Sequence, residues 1–216
     1  MTPLHVGLAP ETSGATLDNP YYDEFVAVSG DGVFDCPSGA DAVLISLEHA
    51  AARRRLRHEL VRRYAWAVPS EEVIRQIAAY GPIIEVGAGT GYWASLLSQA
   101  GADVMAFDLD PAGPENATRF HEAVSYFPVL PGGPEVADRY PERALLLCWP
   151  PYESSMAADA LRHYQGHTVI YVGEGPGGCT ADDEFHRLLD ERFSLIERLG
   201  IPRWESMDDD VRVYHR

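Results

Sequence analysis

Lysine is absent from this chain. All 17 basic residues are arginine, set against 33 acids, for a formal net charge of −16. Chemistry that needs a lysine is therefore excluded: the phosphate-loop amine, a Schiff base, a pyridoxal anchor. So acidic a surface repels phosphate backbones, which argues against a nucleic-acid partner. Cysteine is scarce. Cys36, Cys148 and Cys179 lie far apart, with neither zinc-finger spacing nor a disulfide framework, so no metal site is expected and a reducing, cytoplasmic setting fits best. No run of about 18 apolar residues occurs, so a membrane span is not expected. The opening MTPLHVGLAPETSG lacks a basic region followed by an apolar stretch, so no signal peptide is expected.

What remains is the composition of a globular chain, 46% hydrophobic and 23% charged over 216 residues. Residues 1–46 carry seven acids, no lysine or arginine, and no sustained period, which predicts an irregular arm with short ordered pieces. One such piece is Asn19–Phe25. Three aromatics in seven residues are costly to leave in water. They pack on the domain's own surface or, with Tyr22 towards substrate, form a flap over a pocket. Residues 47–67 read as a helix with Leu56, Leu60, Val61 and Tyr64 on one face. The same stretch holds Arg53, Arg54, Arg55, Arg57, Arg62 and Arg63, read as a solvated face with anion binding as a secondary option. Ser70 caps a further helix that runs to about Tyr80. Residues 47–81 thus form helices packing on a core that begins at 82.

From Pro82 strands alternate with helices. Ile83–Val86, Val104–Phe107, a less clear stretch near Val124–Leu130, Ala144–Cys148 and Thr168–Val172 read as strands. Helices follow Gly91, cover about 155–164, and run from 181 to 192 with Thr180 and Asp183 as a capping box. Two extended pieces, near 193–199 and 211–215, close the chain as an antiparallel hairpin. The pattern predicts an α/β fold with a mostly parallel sheet.

The sharpest signal is Glu85-Val86-Gly87-Ala88-Gly89-Thr90-Gly91 between strand and helix. Its third glycine comes one residue early for the dinucleotide fingerprint, and an acid two residues before the first glycine suits a ligand with a positive amino group better than a pyrophosphate. Asp108, 21 residues after Gly87, ends the next strand, where a carboxylate accepts from both ribose hydroxyls. A nucleoside plus an ammonium, without phosphate, points to S-adenosylmethionine. The alternative is a structural turn with no ligand.

These residues resemble class I S-adenosylmethionine-dependent methyltransferases over residues 82–216. The resemblance implies a Rossmann-like seven-stranded, mostly parallel sheet with an antiparallel C-terminal hairpin, here with an N-terminal helical extension. It implies cofactor contacts from Glu85, Gly87, Gly89 and Gly91, with Asp108 on the ribose and Leu109 on the adenine. It also implies that Tyr64 and Trp66 close the methionine end, although ordinary core packing explains them equally. The chain departs from the family at Pro131-Gly132-Gly133, where many members place an acid for the adenine.

Cys148-Trp149-Pro150-Pro151-Tyr152 is similar to the Asn/Asp-Pro-Pro-Tyr loop of amino-group methyltransferases, but indole only donates. Trp149 and Tyr152 are expected to wall the sulfonium with their ring faces, and Pro150 to border the acceptor. The glycine-rich stretch 173–180 reads as a close approach to substrate, a moving lid or a plain connection. Of eight histidines, His186 is expected nearest the pocket and is the candidate base, against the plainer reading of a surface helix histidine. The expected activity is methyl transfer to the oxygen, hydroxyl or carboxylate, of a small organic molecule. N-methylation through the Pro-Pro-Tyr loop and a non-catalytic cofactor-binding partner protein are the rivals. A homodimer is compatible with all three.

Overall fold

The computed structural model describes residues 16–30 and 42–216. The remaining residues of the expected arm, with Cys36, lie outside the described residues. Three helices come first: α1 (Pro20–Gly30), α2 (Ala42–Arg63) and α3 (Glu71–Ala78). The sheet region then runs β1 (Ile83–Val86), α4 (Tyr92–Gln99), β2 (Val104–Asp108), β3 (Val129–Pro131), β4 (Ala144–Cys148), α5 (Met156–His163), β5 (Thr168–Gly173), α6 (Asp183–Arg192), β6 (Ser194–Gly200) and β7 (Asp210–His215). A 3₁₀ turn, Pro134–Arg139, precedes β4.

The seven strands form one sheet in the order β3-β2-β1-β4-β5-β7-β6. β1 to β5 are parallel, and β7 pairs antiparallel with both β5 and β6. The order reverses at β1, whose neighbours β2 and β4 diverge, opening a crevice at the carboxyl ends of the strands. Central strands buried on both faces need continuous apolar runs. Alternate residues serve opposite layers. Ile83, Leu146, Ile170 and Val172 pack towards the N-terminal helices and α4. Ile84, Leu145, Leu147, Val169 and Tyr171 pack towards α5 and α6.

Local chemistry sets several element ends. Ser70 caps α3 by accepting from the Val73 amide. α6 is capped by Asp182, which accepts from the Phe185 amide at 2.9 Å, and not by the expected Thr180. The Thr180 hydroxyl is engaged elsewhere, 2.5 Å from the Tyr171 hydroxyl and accepting from the Glu174 amide at 2.9 Å. This ties the two ends of the glycine-rich 173–180 stretch together, which suits a clamped connection better than a moving lid. β3 is shorter than the expected 124–130 stretch because only residues 129–131 reach the sheet edge.

The arm is not irregular throughout. Asn19 followed by Pro20 begins an 11-residue helix, Pro being tolerated where the first amide has no partner. α1 puts Tyr21 and Phe25 into the core. The Tyr21 ring stacks on Tyr64 at 5.2 Å, and its hydroxyl accepts from Trp204 Nε1 at 2.9 Å. Phe25 meets Trp204 edge-on at 5.0 Å. The Tyr21 amide donates to the Tyr92 hydroxyl, which donates in turn to Asn19. Tyr22 points away and is 36% exposed. The aromatics therefore act as packing. Replacing Tyr21 by Ala is expected to cost about 3–5 kcal/mol, the range for deleting a large buried aromatic. Chemical denaturation checks this, and a variant as stable as the parent would contradict the core role of α1.

Candidate functional site

The crevice at β1 is a cleft of about 650 Å³. Its walls come from the turn after β1, the ends of β2 and β4, the N-terminal end of α5, the 64–66 segment after α2 and the 118–121 loop.

The floor is the glycine turn. Gly87 and Gly91 have φ of +81° and +73°, which disfavours any side chain. A Cβ at Gly87 would lie 2.2 Å from Met156 Cε, and one at Gly91 2.9 Å from Phe127 Cβ and Val129 Cγ2. Gly91 is the N-cap of α4, below the cleft rather than on its surface. Gly87, Ala88, Gly89 and Thr90 line the cleft itself. Around Gly89 nothing would meet a Cβ within 4 Å, so the turn is open to a ligand there.

Two carboxyl groups flank this turn. Glu85 is 1% exposed at the end of β1, accepting from the Ala94 amide in the first turn of α4. Its Oε2 has no partner among the described residues. Burial, with a further push from the Asp108 charge, raises its pKa to about 8. Asp108 ends β2. Its Oδ2 accepts from the Gly89 amide and its Oδ1 from the Asp110 amide, both at 2.8 Å. Each oxygen keeps lone-pair capacity for a further donor. Leu109 beside it is 81% exposed on the cleft wall.

These residues fit a nucleoside that carries a cationic amino group. Once ionised, Glu85 would supply the counter-charge, Asp108 the acceptors for a diol, and Leu109 an apolar face for a base.

The far wall is aromatic. Trp149 follows β4 with φ +51°, a strained value for a bulky residue. Its amide donates to Val172 O at 2.8 Å and its Nε1 to Asp209 Oδ1 at 2.8 Å. With its only side-chain donor spent, Trp149 offers the cleft a ring face. That ring stacks on Trp66 at 5.0 Å and 26°, and the Arg57 guanidinium lies 5.8 Å from both centroids. Asp209 is 1% exposed, and burial raises its pKa to about 6.

The cleft brings together Glu85, Gly87, Gly89, Asp108, Leu109, Tyr64, Trp66, Trp149 and Pro150 from the residues singled out in the sequence. Four others stand apart, Gly91 among them as the N-cap of α4 beneath the cleft. Tyr152 is 61% exposed and off the cleft, because the chain turns outward after Pro151, and Trp66 rather than Tyr152 partners Trp149. Tyr22 faces away. His186 is also missing from the cleft. It lies in the first turns of α6, 8% exposed, packed against Phe185 and Tyr171 at 5.3 and 5.7 Å on the opposite face of the sheet. Burial there lowers its pKa. The histidine that does line the cleft is His121. Both its ring nitrogens face backbone oxygens, of Glu122 at 3.2 Å and Asp110 at 3.1 Å.

Residues that the sequence did not flag complete the site. Asp209 stands in the Asp208-Asp209-Asp210 run that leads into β7, and three acids opening a buried strand were the available signal. Met156 and the 118–121 loop carry no local signature.

Strand order, glycine turn and closing hairpin give the Rossmann-like arrangement implied by the resemblance to class I methyltransferases. No family model and no curated protein matches the chain. Among solved structures it is similar to a TehB-like SAM-dependent methyltransferase from Corynebacterium glutamicum, at 20% identity over 78% of this chain and 97% of that one, TM-score 0.43. It is also similar to the magnesium protoporphyrin IX methyltransferase of Synechocystis with bound SAM, at 12% identity over 90% of each chain, TM-score 0.44. A third is the 1,6-didemethyltoxoflavin-N1-methyltransferase of Burkholderia thailandensis, at 17% identity over 83% and 92%, TM-score 0.42.

The raised Glu85 pKa has a sign that can be tested. Between about 4.5 and 8 the carboxyl is ionised when unfolded but protonated in the fold. The fold then holds the extra proton, so stability falls as pH rises through that window. Glu85→Gln is expected to flatten the decline in melting temperature between pH 5 and 8. An unchanged slope would contradict a neutral, buried Glu85.

Proposed function

We propose that this protein is an S-adenosylmethionine-dependent methyltransferase that acts on an oxygen atom of a small organic molecule. The observation that carries the reading is the buried, half-satisfied Glu85 carboxyl under a glycine turn, with Asp108 at the end of the next strand. An ammonium and a ribose diol are the two groups such a pair would hold, and that cofactor carries both. When bound, it supplies an electrophilic methyl group on a positively charged sulfur.

The residues of the chain then have separable tasks. Glu85, in its ionised form, pairs with the amino group. Asp108 accepts from the ribose hydroxyls while the Gly89 and Asp110 amides hold it in place. Leu109 covers the adenine, with the carbonyls of Gly132 and Gly133 available to its amino group, since their amides already donate to Asp108 O and Glu135. Trp149 turns a ring face to the sulfur end, where a cation–π contact contributes about 0.5–2 kcal/mol, whereas the Tyr64 ring is stacked on Tyr21 and Tyr126 and serves as packing behind it. Alignment of acceptor and methyl group is chiefly a matter of proximity, and an aromatic wall that excludes water serves it.

Oxygen is favoured over nitrogen because Trp149 stands where an acceptor for amine hydrogens would be needed, and its Nε1 is committed to Asp209. Neither His186 nor His121 offers a ring nitrogen to the cleft, so a histidine base has no support. A carboxylate acceptor needs none, and a phenol loses its proton to water when it ionises first.

Asp108→Ala is expected to weaken S-adenosylhomocysteine binding about 10- to 100-fold, the equivalent of about 1–3 kcal/mol for lost charged hydrogen bonds. Calorimetry measures this, and an unaltered affinity would remove Asp108 from the ribose. Radioactive methyl transfer into a panel of acids, phenols and amines tests the reaction itself. Cofactor binding without turnover on any of them would favour the partner-protein reading.

A further inference from the structure

The loop 118–121 covers the cleft at its aromatic end, and little of it belongs to the sheet. It is stitched instead to the end of α2. Arg62 Nη2 donates to Thr118 O at 3.0 Å, the Glu122 amide to Arg62 O at 2.9 Å, and Trp66 Nε1 to Phe120 O at 3.0 Å. The Thr118 hydroxyl accepts from the Phe120 and His121 amides. Between these fixed points sits Arg119, on the cleft wall, its guanidinium 4.5 Å from the Phe120 ring centroid. Among the described residues it forms no ion pair with a carboxylate.

Arg119 is exposed to solvent, and among the described residues Arg57 and Arg62 likewise pair with no carboxylate, so what sets Arg119 apart is its place on the cleft wall. The cleft's own carboxylates are occupied elsewhere. Asp108 takes two backbone amides. Asp110 accepts from Asn116 Nδ2 at 2.7 Å. Asp159 takes the Ser155 hydroxyl at 2.8 Å and Arg162 at 2.6 Å. Glu85 lies buried at the opposite, glycine-turn side. Arg119 is therefore a cation without a counter-charge, at the end of the cleft built from Trp66, Phe120 and Trp149.

We propose that this end of the cleft receives the acceptor as a planar aromatic carboxylic acid, its ring against Trp66 and Phe120 and its carboxylate on Arg119. The assignment rests on the methyltransferase reading and names the substrate class within it. A guanidinium is planar and forks onto both oxygens of a carboxylate, so it fixes the ring's orientation as well as its charge. Flat indole and phenyl faces complement a flat ring. The acidic surface repels anions at long range, which favours a singly charged acid over a phosphorylated one.

The test is calorimetry on the full chain, with and without saturating S-adenosylhomocysteine. The probes are benzoate, 4-hydroxybenzoate and indole-3-acetate, each beside its neutral methyl ester. At least one acid is expected to bind the loaded protein tenfold or more tightly than its ester. Arg119→Gln should remove that preference, Arg119→Lys should retain part of it, and S-adenosylhomocysteine affinity should stay unchanged in both. If no acid outbinds its ester, or if Arg119→Gln leaves the preference intact, the acceptor assignment is overturned while the methyltransferase reading stands. Weaker S-adenosylhomocysteine binding in Arg119→Gln would move Arg119 to the cofactor and overturn it likewise. Failure of S-adenosylhomocysteine to bind the parent protein would overturn the underlying reading, and this proposal with it.

Discussion

A carboxyl group buried with one oxygen unpaired is an expensive thing to keep. Glu85 sits in the middle of the sheet's edge, under the glycine turn and at the positive end of α4, with Asp108 nearby as an unfavourable charge. The fold tolerates the group by leaving it protonated. The same arrangement makes it a ready partner for a cation, since a positive group placed at the cleft floor would relieve the desolvation that burial imposes. The rest of the site follows from that constraint. The turn must be glycine because Gly87 and Gly91 hold positive φ and leave no room for a Cβ, and two backbone amides hold the Asp108 carboxylate in place.

The far wall is a tertiary construction. Trp149 keeps a strained backbone because three neighbours fix it: the amide bond to Val172, the indole bond to Asp209 and the stack on Trp66. Asp209 comes from just before β7, and Trp66 from beyond α2. The closing hairpin and the N-terminal helices are therefore part of the site as much as the central strands. α1 supports them from outside, through Tyr21 on Tyr64 and Phe25 on Trp204.

This division explains what the sequence discloses. Glu85, the glycine turn and Asp108 are legible because the chemistry is local: a short apolar strand, a turn that only glycine makes, an acid at the next strand end. Ala144–Cys148 is legible because a strand buried on both faces has no polar choice. The Trp66–Trp149 pair and Asp209 are not legible, because each acquires its place from a segment distant in the chain. Tyr152 and His186 show the converse error. Sequence proximity to a motif placed them in the pocket, while the outward turn after Pro151 and the face taken by α6 carry them away from it. Asn19-Pro20 carried a local helix-start signal that acidic composition obscured.

The most direct measurement of the central claim is calorimetric titration with S-adenosylhomocysteine at pH 7 in buffers of different ionisation enthalpy. Glu85, protonated in the free protein, must ionise to pair with the ligand's amino group. The account predicts that close to one proton is released on binding, so that the observed enthalpy changes with the buffer, and that Glu85→Gln abolishes the dependence. Binding with the same enthalpy in every buffer would contradict it.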